Sequence, residues 1–141
     1  MNDLHDNCRT KSVIYPILVG APEKKMGAVI DRQGYNGIEF IICYGEITEQ
    51  TNSCTVEIQD GSVTGTLTEV ADAYLQGTEA LASITAVAKV AGTNSACTKR
   101  IGYKGNKRYV TANITSVVSS TGMIGVAALL YNPTNAPVAN P

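Results

Sequence analysis

The chain has 141 residues, of which 16% are charged, and its net charge at pH 7 is −1. A chain of this length is typically one domain and can bury a core without disulfides or metals. The charged fraction is below the roughly 25% of typical soluble domains. The pI of about 5.8 disfavours a dedicated nucleic-acid-binding protein, because such proteins are clearly basic.

The charges are unevenly distributed along the chain. Residues 1–79 contain all 12 acidic residues and five basic ones, whereas residues 80–141 contain six basic residues and no acidic residue. Two arrangements are compatible with this asymmetry. The two halves can interleave within one fold, or acidic and basic surfaces can meet between neighbouring subunits of a homo-oligomer, where charge sets orientation and association rate.

The cysteines do not have the spacing of a metal site. One histidine, His5, cannot complete a Cys/His zinc site, so we expect no metal and no cofactor. Two of the cysteines lie in alternating apolar stretches, where we expect buried free thiols; these are Cys43 and Cys54. The other two are Cys8 and Cys97.

The beginning of the chain, "MNDLHDNCRTK", is polar and lacks the apolar segment of a signal peptide. We therefore expect synthesis in a reducing cytoplasm. The longest apolar stretch, "MIGVAALLY", is too short to span a bilayer, so we expect no membrane partner.

The composition favours β-structure, because 25 residues are valine or isoleucine and 15 are threonine, and β-branched side chains suit pleated sheets. Residues 1–12 are predicted to form a polar arm. "SVIYPILVGAP" follows, and Pro16 indicates an edge strand. "GAVIDRQGYNG" predicts a short strand and a turn. In "IEFIICYG", residues 38–45, alternate apolar positions share one face, and apolar Ile41 and Cys43 predict burial of the other face as well.

Two hairpins are predicted from turn signals. Asp60-Gly61 is a strong two-residue turn signal, and the register it sets pairs Ile58 with Val63, Val56 with Gly65, and Cys54 with Leu67. The loop "SSTG" would join the last two strands and pair Val118 with Met123, Ile114 with Ala127, Ala112 with Leu129, and Val110 with Tyr131.

Three further segments complete the predicted organisation. Residues 69–82 predict a short helical turn that Gly77 breaks, and "SITAVAKVAG" predicts another strand. The tail, residues 132–141, has three prolines and should be extended. About eight short strands with turns between them indicate an all-β fold over residues 13–131, a jelly-roll-like β-sandwich with one short helical turn.

No catalytic motif is present in the sequence. "GYKGNK" lacks both the spacing and the hydroxyl residue of a phosphate-binding loop, and no nucleophile elbow or zinc-protease motif occurs. The acid pairs Glu46/Glu49 and Glu69/Asp72 lie in predicted loops. We therefore expect that the protein is not an enzyme.

The stretch "RIGYKGNKRYV", residues 100–110, concentrates cations and tyrosines around two glycines. Cations and aromatic rings together suit single-stranded nucleic acid. A second interpretation is a turn between two strands in which Gly102 and Gly105 provide the bend. A third is a contact for an acidic protein surface, since arginine and tyrosine often anchor interfaces.

Five segments resemble, in this order, a family of small virion proteins of tailed bacteriophages found beside the major capsid protein. They are "DRQGYNGIEFIICYGEIT", "TVEIQDGS", "EVADAYLQG", "IGYKGNKRYVTANIT" and "AALLYNPTNAPV". The resemblance covers roughly residues 27–138, and "IGYKGNKRYV" is its most specific segment. The sequence departs from the family pattern in its longer, proline-containing N-terminal stretch and in "YNPTNAP", which lacks the basic residue often found before the alanine.

The resemblance implies a head decoration (cement) or minor structural protein on the capsid surface, made in the host cytoplasm. The expected partner is the major capsid protein, which the protein would bridge. We expect the contact to involve both ends of the chain and five residues, namely Tyr103, Lys104, Lys107, Arg108 and Tyr109. The alternatives are a phage tail, adaptor or host-glycan-binding β-sandwich, and a nucleic-acid-binding module that uses residues 99–108.

Overall fold

The computed structural model describes residues 3–19, 22–45, 53–84, 97–116 and 122–135. Within them the chain forms β1 (Cys8–Val19), β2 (Glu23–Lys25), β3 (Ile30–Asp31), β4 (Tyr35–Tyr44), β5 (Cys54–Val63), β6 (Thr66–Glu69), β7 (Leu75–Gln76), β8 (Cys97–Tyr103), β9 (Tyr109–Ser116) and β10 (Gly122–Pro133). The helical segments are α1 (Leu4–Asn7), a 3₁₀ turn (Asp72–Tyr74) and α2 (Glu79–Ala82).

The strands form two antiparallel sheets. One has the order β1-β10-β4-β8-β7, the other has the order β2-β9-β5-β6, and β3 also pairs with β9. Most connections cross from one sheet to the other, which is the strand order that two Greek keys give in a jelly roll. The prediction of an all-β, jelly-roll-like β-sandwich is therefore confirmed.

Every second residue of β4 points into the centre of the core. Ile38, Phe40 and Ile42 are completely buried and Tyr44 is 2% exposed, as the spacing predicts. The opposite face differs from the prediction: Cys43 is exposed and Ile41 is half-buried. In the described part of the chain nothing forms a third layer over this outer face, so its apolar residues keep contact with solvent.

The strand β1 is an edge strand, as Pro16 indicates. Within the described ranges it pairs with β10 alone, and its register shifts between Ser12 and Ile14 and again between Ile14 and Ile17. Bulges and a proline make it harder for a further strand to pair with the outer edge of β1.

The predicted limits of the domain fall inside strands. Cys8 pairs with Tyr131, so residues 8–12 belong to β1 rather than to a free polar arm. Similarly, β10 continues to Pro133. An edge strand accepts alternating polar residues because one of its faces meets water. Residues 136–141 of the predicted tail lie outside the described residues.

The hairpin of β5 and β6 forms, but not at the predicted turn. The chain turns at Thr64 and Gly65, and Val63 pairs with Thr66. Gly61 instead pairs with Tyr109 inside the sheet. A Cβ atom at residue 61 would lie 2.4 Å from the carbonyl oxygen of Thr66, so this glycine permits close backbone approach. The turn interpretation of Asp60-Gly61 is wrong, because both residues lie within β5 and pair with β9.

The second predicted hairpin is also wrong, because β9 and β10 lie in different sheets. β9 pairs with β2, β3 and β5, whereas β10 pairs with β1 and β4. Both the odd-numbered and the even-numbered positions of β10 are apolar, so the alternation of residues could not identify its inner face. The buried residues are Ile124, Val126, Ala128 and Leu130, the opposite parity to that predicted.

The segment after β6 follows the sequence prediction. A 3₁₀ turn and α2 flank Gly77, whose φ of +91° favours glycine. The Thr78 side chain caps α2 by accepting a hydrogen bond from the Leu81 N–H. In the strand predicted for residues 83–92, Ile84 forms a β-bridge with buried Cys54. The remainder of that strand lies outside the described residues.

Candidate functional site

Residues 104–108, which we call the basic turn, connect β8 of one sheet to β9 of the other. Two neighbouring loops are fastened to it by backbone hydrogen bonds. Lys104 N–H donates to the Tyr74 carbonyl at 2.9 Å, and Arg32 N–H donates to the Arg108 carbonyl at 3.0 Å. The basic turn, the 3₁₀ turn and the loop after β3 therefore meet at one end of the sandwich.

Tyr103 lies beneath the basic turn and is 1% exposed. Its hydroxyl donates to Asp60 Oδ2 at 2.5 Å and accepts from the Lys107 N–H at 3.1 Å. Burial, with the Asp60 hydrogen bond as a smaller cause, raises the pKa of Tyr103 to about 12. The Arg32 guanidinium lies 5.4 Å from the centre of its ring. Tyr103 thus shapes the turn from inside, and its 1% exposure leaves almost none of its surface for the predicted partner contact.

Gly105 has a steric role in this arrangement. A Cβ atom at this residue would lie 2.3 Å from the Tyr103 hydroxyl oxygen. Gly102, by contrast, lies within β8 and pairs with Glu39 and Gln76. Of the two glycines expected to provide the bend, only Gly105 belongs to the turn.

Arg108 is held by an ion pair within the chain. Its Nε and Nη2 atoms donate to the two carboxylate oxygens of Asp31 at 2.9 and 2.6 Å. This hydrogen bonding lowers the pKa of Asp31 to about 2. The guanidinium also lies 5.1 Å from the centre of the half-buried Tyr109 ring. A partner would have to compete with Asp31 for this arginine.

The Asp31–Arg108 pair predicts a specific dependence of stability on pH. Because folding lowers the pKa of Asp31, the stabilisation is present above pH 4 and is lost as pH falls through about 2. In low salt, the urea midpoint of the wild type should therefore fall more between pH 4 and pH 2 than that of Asp31→Asn. Asp72→Asn, on the exposed 3₁₀ turn, is the matched control. Equal slopes for the wild type and Asp31→Asn would contradict the assignment.

The other cations differ in their availability. Lys104 and Lys107 are exposed, and neither forms an ion pair within the described residues. Lys99 is held by α2, since its ammonium donates to the Leu81 and Ser83 carbonyls at 3.0 and 2.8 Å. Arg100 is 81% exposed and lies 3.7 Å from Glu39. The accessible charge of the basic turn is thus that of its two lysines.

A cavity of about 410 Å³ lies beside the basic turn, and we call it the turn cavity. Its position was not predictable, because its walls come from β5, β6, the segment after β6 and the basic turn. Tyr74 is 57% exposed at its wall. The lining residues are Asp60, Glu69, Val70, Ala71, Tyr74, Gly105, Asn106 and Lys107. A smaller space of about 280 Å³ lies on the other side of the turn, against Arg32 and Arg108.

A second accessible surface lies on the outer face of the first sheet. We call it the outer patch, and define it as Leu18, Cys43 and Met123, which are exposed. Leu18 and Met123 are cross-strand neighbours. The expected burial of the Cys43 thiol is therefore incorrect, since this side of β4 faces outward. A groove of about 310 Å³ adjoins the patch at Cys43, Pro16 and Gly125.

Two features are absent from the described residues. No group of three or more histidine, cysteine, aspartate or glutamate side chains is arranged to hold a metal ion there. None of the helices in these ranges has the length and apolar character needed to cross a membrane.

Comparison with known sequences gives no family assignment. No family model matches the chain, and no curated protein matches it.

The fold is shared with a solved structure, and weaker structural similarities also occur. The PBSX exported protein XepA aligns with a TM-score of 0.58 and 10% identity, over 99% of this chain and 42% of XepA. The SPBc2 prophage-derived protein YomS aligns with a TM-score of 0.40 and 14% identity, over 89% of this chain and 95% of YomS. A structure of Bacillus endospore appendages aligns with a TM-score of 0.40 and 15% identity, over 90% of this chain and 89% of that chain.

The XepA alignment shows a shared fold, and the present chain spans less than half of XepA. The alignments at a TM-score of 0.40 do not extend this conclusion. XepA and YomS are both of phage or prophage origin.

Proposed function

We propose that the protein is a virion structural protein that decorates or cements a tailed-phage capsid by bridging neighbouring subunits of the major capsid protein. The fold shared with XepA and the resemblance of the five sequence segments to phage virion proteins support the virion role. The finer assignment, to cement on the capsid surface, is based on the positions of the accessible surfaces.

The observation that carries the proposal is that two accessible surfaces of different character lie at opposite ends of β4. Tyr103, beneath the basic turn, pairs with Ile38 near the start of β4. Ile124, next to Met123 of the outer patch, pairs with Tyr44 at its end. Ile38 and Tyr44 are six residue steps apart along the strand, a distance of about 20 Å. Surfaces so separated can contact two different subunits.

The two surfaces would contribute in different ways. The outer patch offers apolar area, whose burial favours association. Lys104 and Lys107 offer charge that orients the molecule on an acidic surface. Binding to the assembled shell but not to its free subunits would stabilise the shell by mass action. Many weak contacts on one shell also act together through multivalency.

The structure makes the nucleic-acid alternative less favourable. Single-strand binding needs a groove of free cations with accessible aromatic faces. Arg108 is paired with Asp31, Lys99 is bonded to α2, and the Tyr103 ring is buried. Two of the five cations in residues 99–108, Lys99 and Arg108, are thus engaged within the chain.

The proposal is tested by sedimenting the purified protein with phage heads, or with shells of the major capsid protein alone. The expected result is saturable binding at a fixed copy ratio, with shells that then withstand higher temperatures. Failure to bind either preparation would reject the capsid role and favour the tail or host-surface alternative.

Lys107→Glu is expected to weaken this binding while leaving the fold intact, since the side chain is exposed. Reversing one interfacial charge should reduce affinity by roughly tenfold at low salt, and by less at high salt. Arg100→Glu, the same change in charge on β8, is the matched control. Arg108 is less suitable, because its replacement breaks a bidentate pair with Asp31 at 2.9 and 2.6 Å. Arg100 is 81% exposed and has a single, longer contact of 3.7 Å with Glu39. Equal effects of Lys107→Glu and Arg100→Glu would show a non-specific charge effect instead.

A further inference from the structure

Apart from Lys107, the residues that line the turn cavity have no part in the proposed capsid contact. The cavity's volume of about 410 Å³ is within the range of small-molecule sites, roughly 300–1,000 Å³. It is lined by two carboxylates, an amide, an ammonium group and the exposed ring of Tyr74. Val70 and Ala71 add apolar surface. We propose that the turn cavity is a binding site for a neutral saccharide ring.

The positions of the polar groups support a fixed site. One carboxylate oxygen of Asp60 accepts a hydrogen bond from the buried Tyr103 hydroxyl, which also accepts from the Lys107 N–H. This network fixes the Asp60 carboxylate relative to the basic turn. The hydrogen bond from Lys104 N–H to the Tyr74 carbonyl fixes the opposite wall. The acceptor and the backbone that carries the aromatic ring are thus held in place before a ligand binds, which reduces the entropic cost of binding.

The mixture of groups favours a saccharide over other ligands. A sugar hydroxyl both donates and accepts hydrogen bonds, and the cavity offers acceptors on Asp60 and Glu69 and donors on Asn106 and Lys107. The Tyr74 ring can pack against the apolar face of a pyranose. A phosphate would be repelled by the two carboxylates, and a metal ion or a guanidinium group would be repelled by the Lys107 ammonium.

The test is a titration of the full ¹⁵N-labelled chain with maltose, lactose, cellobiose and chitobiose, followed by NMR. We expect saturable shifts for at least one disaccharide, concentrated on the amides of Ala71, Gly105, Asn106 and Lys107. Tyr74→Ala should weaken that binding by about tenfold, because a packed aromatic face is lost. Tyr74→Phe should keep it, because the ring remains. Tyr15→Ala is the matched control, since Tyr15 is 78% exposed on β1 and does not line the cavity.

Several results would overturn the proposal. They are an absence of saturable shifts with every disaccharide, equal effects of Tyr74→Ala and Tyr15→Ala, and shifts of the same amides with sodium phosphate or arginine methyl ester in place of a sugar. Thermal denaturation of each variant shows whether it is folded. Head binding is measured separately, so a failure of the saccharide site and a failure of the capsid role give different results.

Discussion

Replacing Tyr103 with alanine is expected to lower the free energy of unfolding by about 3–5 kcal/mol, the range for large aromatic-to-alanine changes in a core. The ring is 1% exposed, and its removal leaves a cavity beneath the basic turn. The same change removes the acceptor of the Lys107 N–H and the donor to Asp60. Urea denaturation followed by circular dichroism measures the loss.

Two further variants separate the contributions of the ring and the hydroxyl. Tyr103→Phe keeps the ring and should cost about 1–3 kcal/mol, the cost of leaving buried polar groups without a partner. Tyr109→Ala removes a half-buried ring from β9, the next strand along the chain. It should cost less than Tyr103→Ala. If Tyr103→Ala instead retained full stability and reduced head binding, Tyr103 would be a contact residue, as its sequence context suggests.

The difference between the two tyrosines shows what local sequence can and cannot predict at this site. Both flank the same cluster of cations, and both look suited to an interface. The partners that hold the side chains of this site are remote: Asp60 is 43 positions from Tyr103, and Asp31 is 77 positions from Arg108, which lies against the Tyr109 ring. No short-range pattern contains these pairs. The location of the basic turn between two strands is predictable, but its internal bonding is not.

The charge asymmetry along the chain is partly explained in the same way. Arg108 pairs with Asp31, and Arg100 lies near Glu39. Each pair joins a base from the second half to an acid from the first. The alternative in which the halves interleave within one fold is therefore realised for these residues. Lys104 and Lys107 remain available for contact between molecules.

Strand prediction succeeds where only every second residue is apolar, or where a residue such as proline restricts pairing with a neighbouring strand. Pro16 identifies an edge, and the alternation around Phe40 identifies the inner face of β4. Strand prediction fails where the residues on both faces of the strand are apolar, as in β10. In a jelly roll, consecutive strands cross between sheets that share one core, so two apolar strands joined by a turn signal need not pair. The hairpin expected for β9 and β10 fails for this reason.

Phe40→Ala is expected to destabilise the sandwich by about 3–5 kcal/mol. Phe40 is completely buried in the middle strand of its sheet and faces Ala128 on β10 and Ile101 on β8. Because Ala128 is small, no large neighbour on that strand can fill the space that the phenyl ring leaves. We therefore expect an effect in the upper part of the range, measured as the change in urea midpoint at a constant m-value.

Met123→Ala is the matched control for this prediction, because Met123 is 51% exposed on the outer face of the same sheet. It should cost less than about 1 kcal/mol, as surface substitutions usually do. Phe40→Leu should fall between the two, since it restores most of the apolar volume. Met123→Ala also tests the outer patch, since it should weaken head binding with only this small loss of stability. A larger loss of stability for Met123→Ala than for Phe40→Ala would mean that the inner and outer faces of the sheet are reversed.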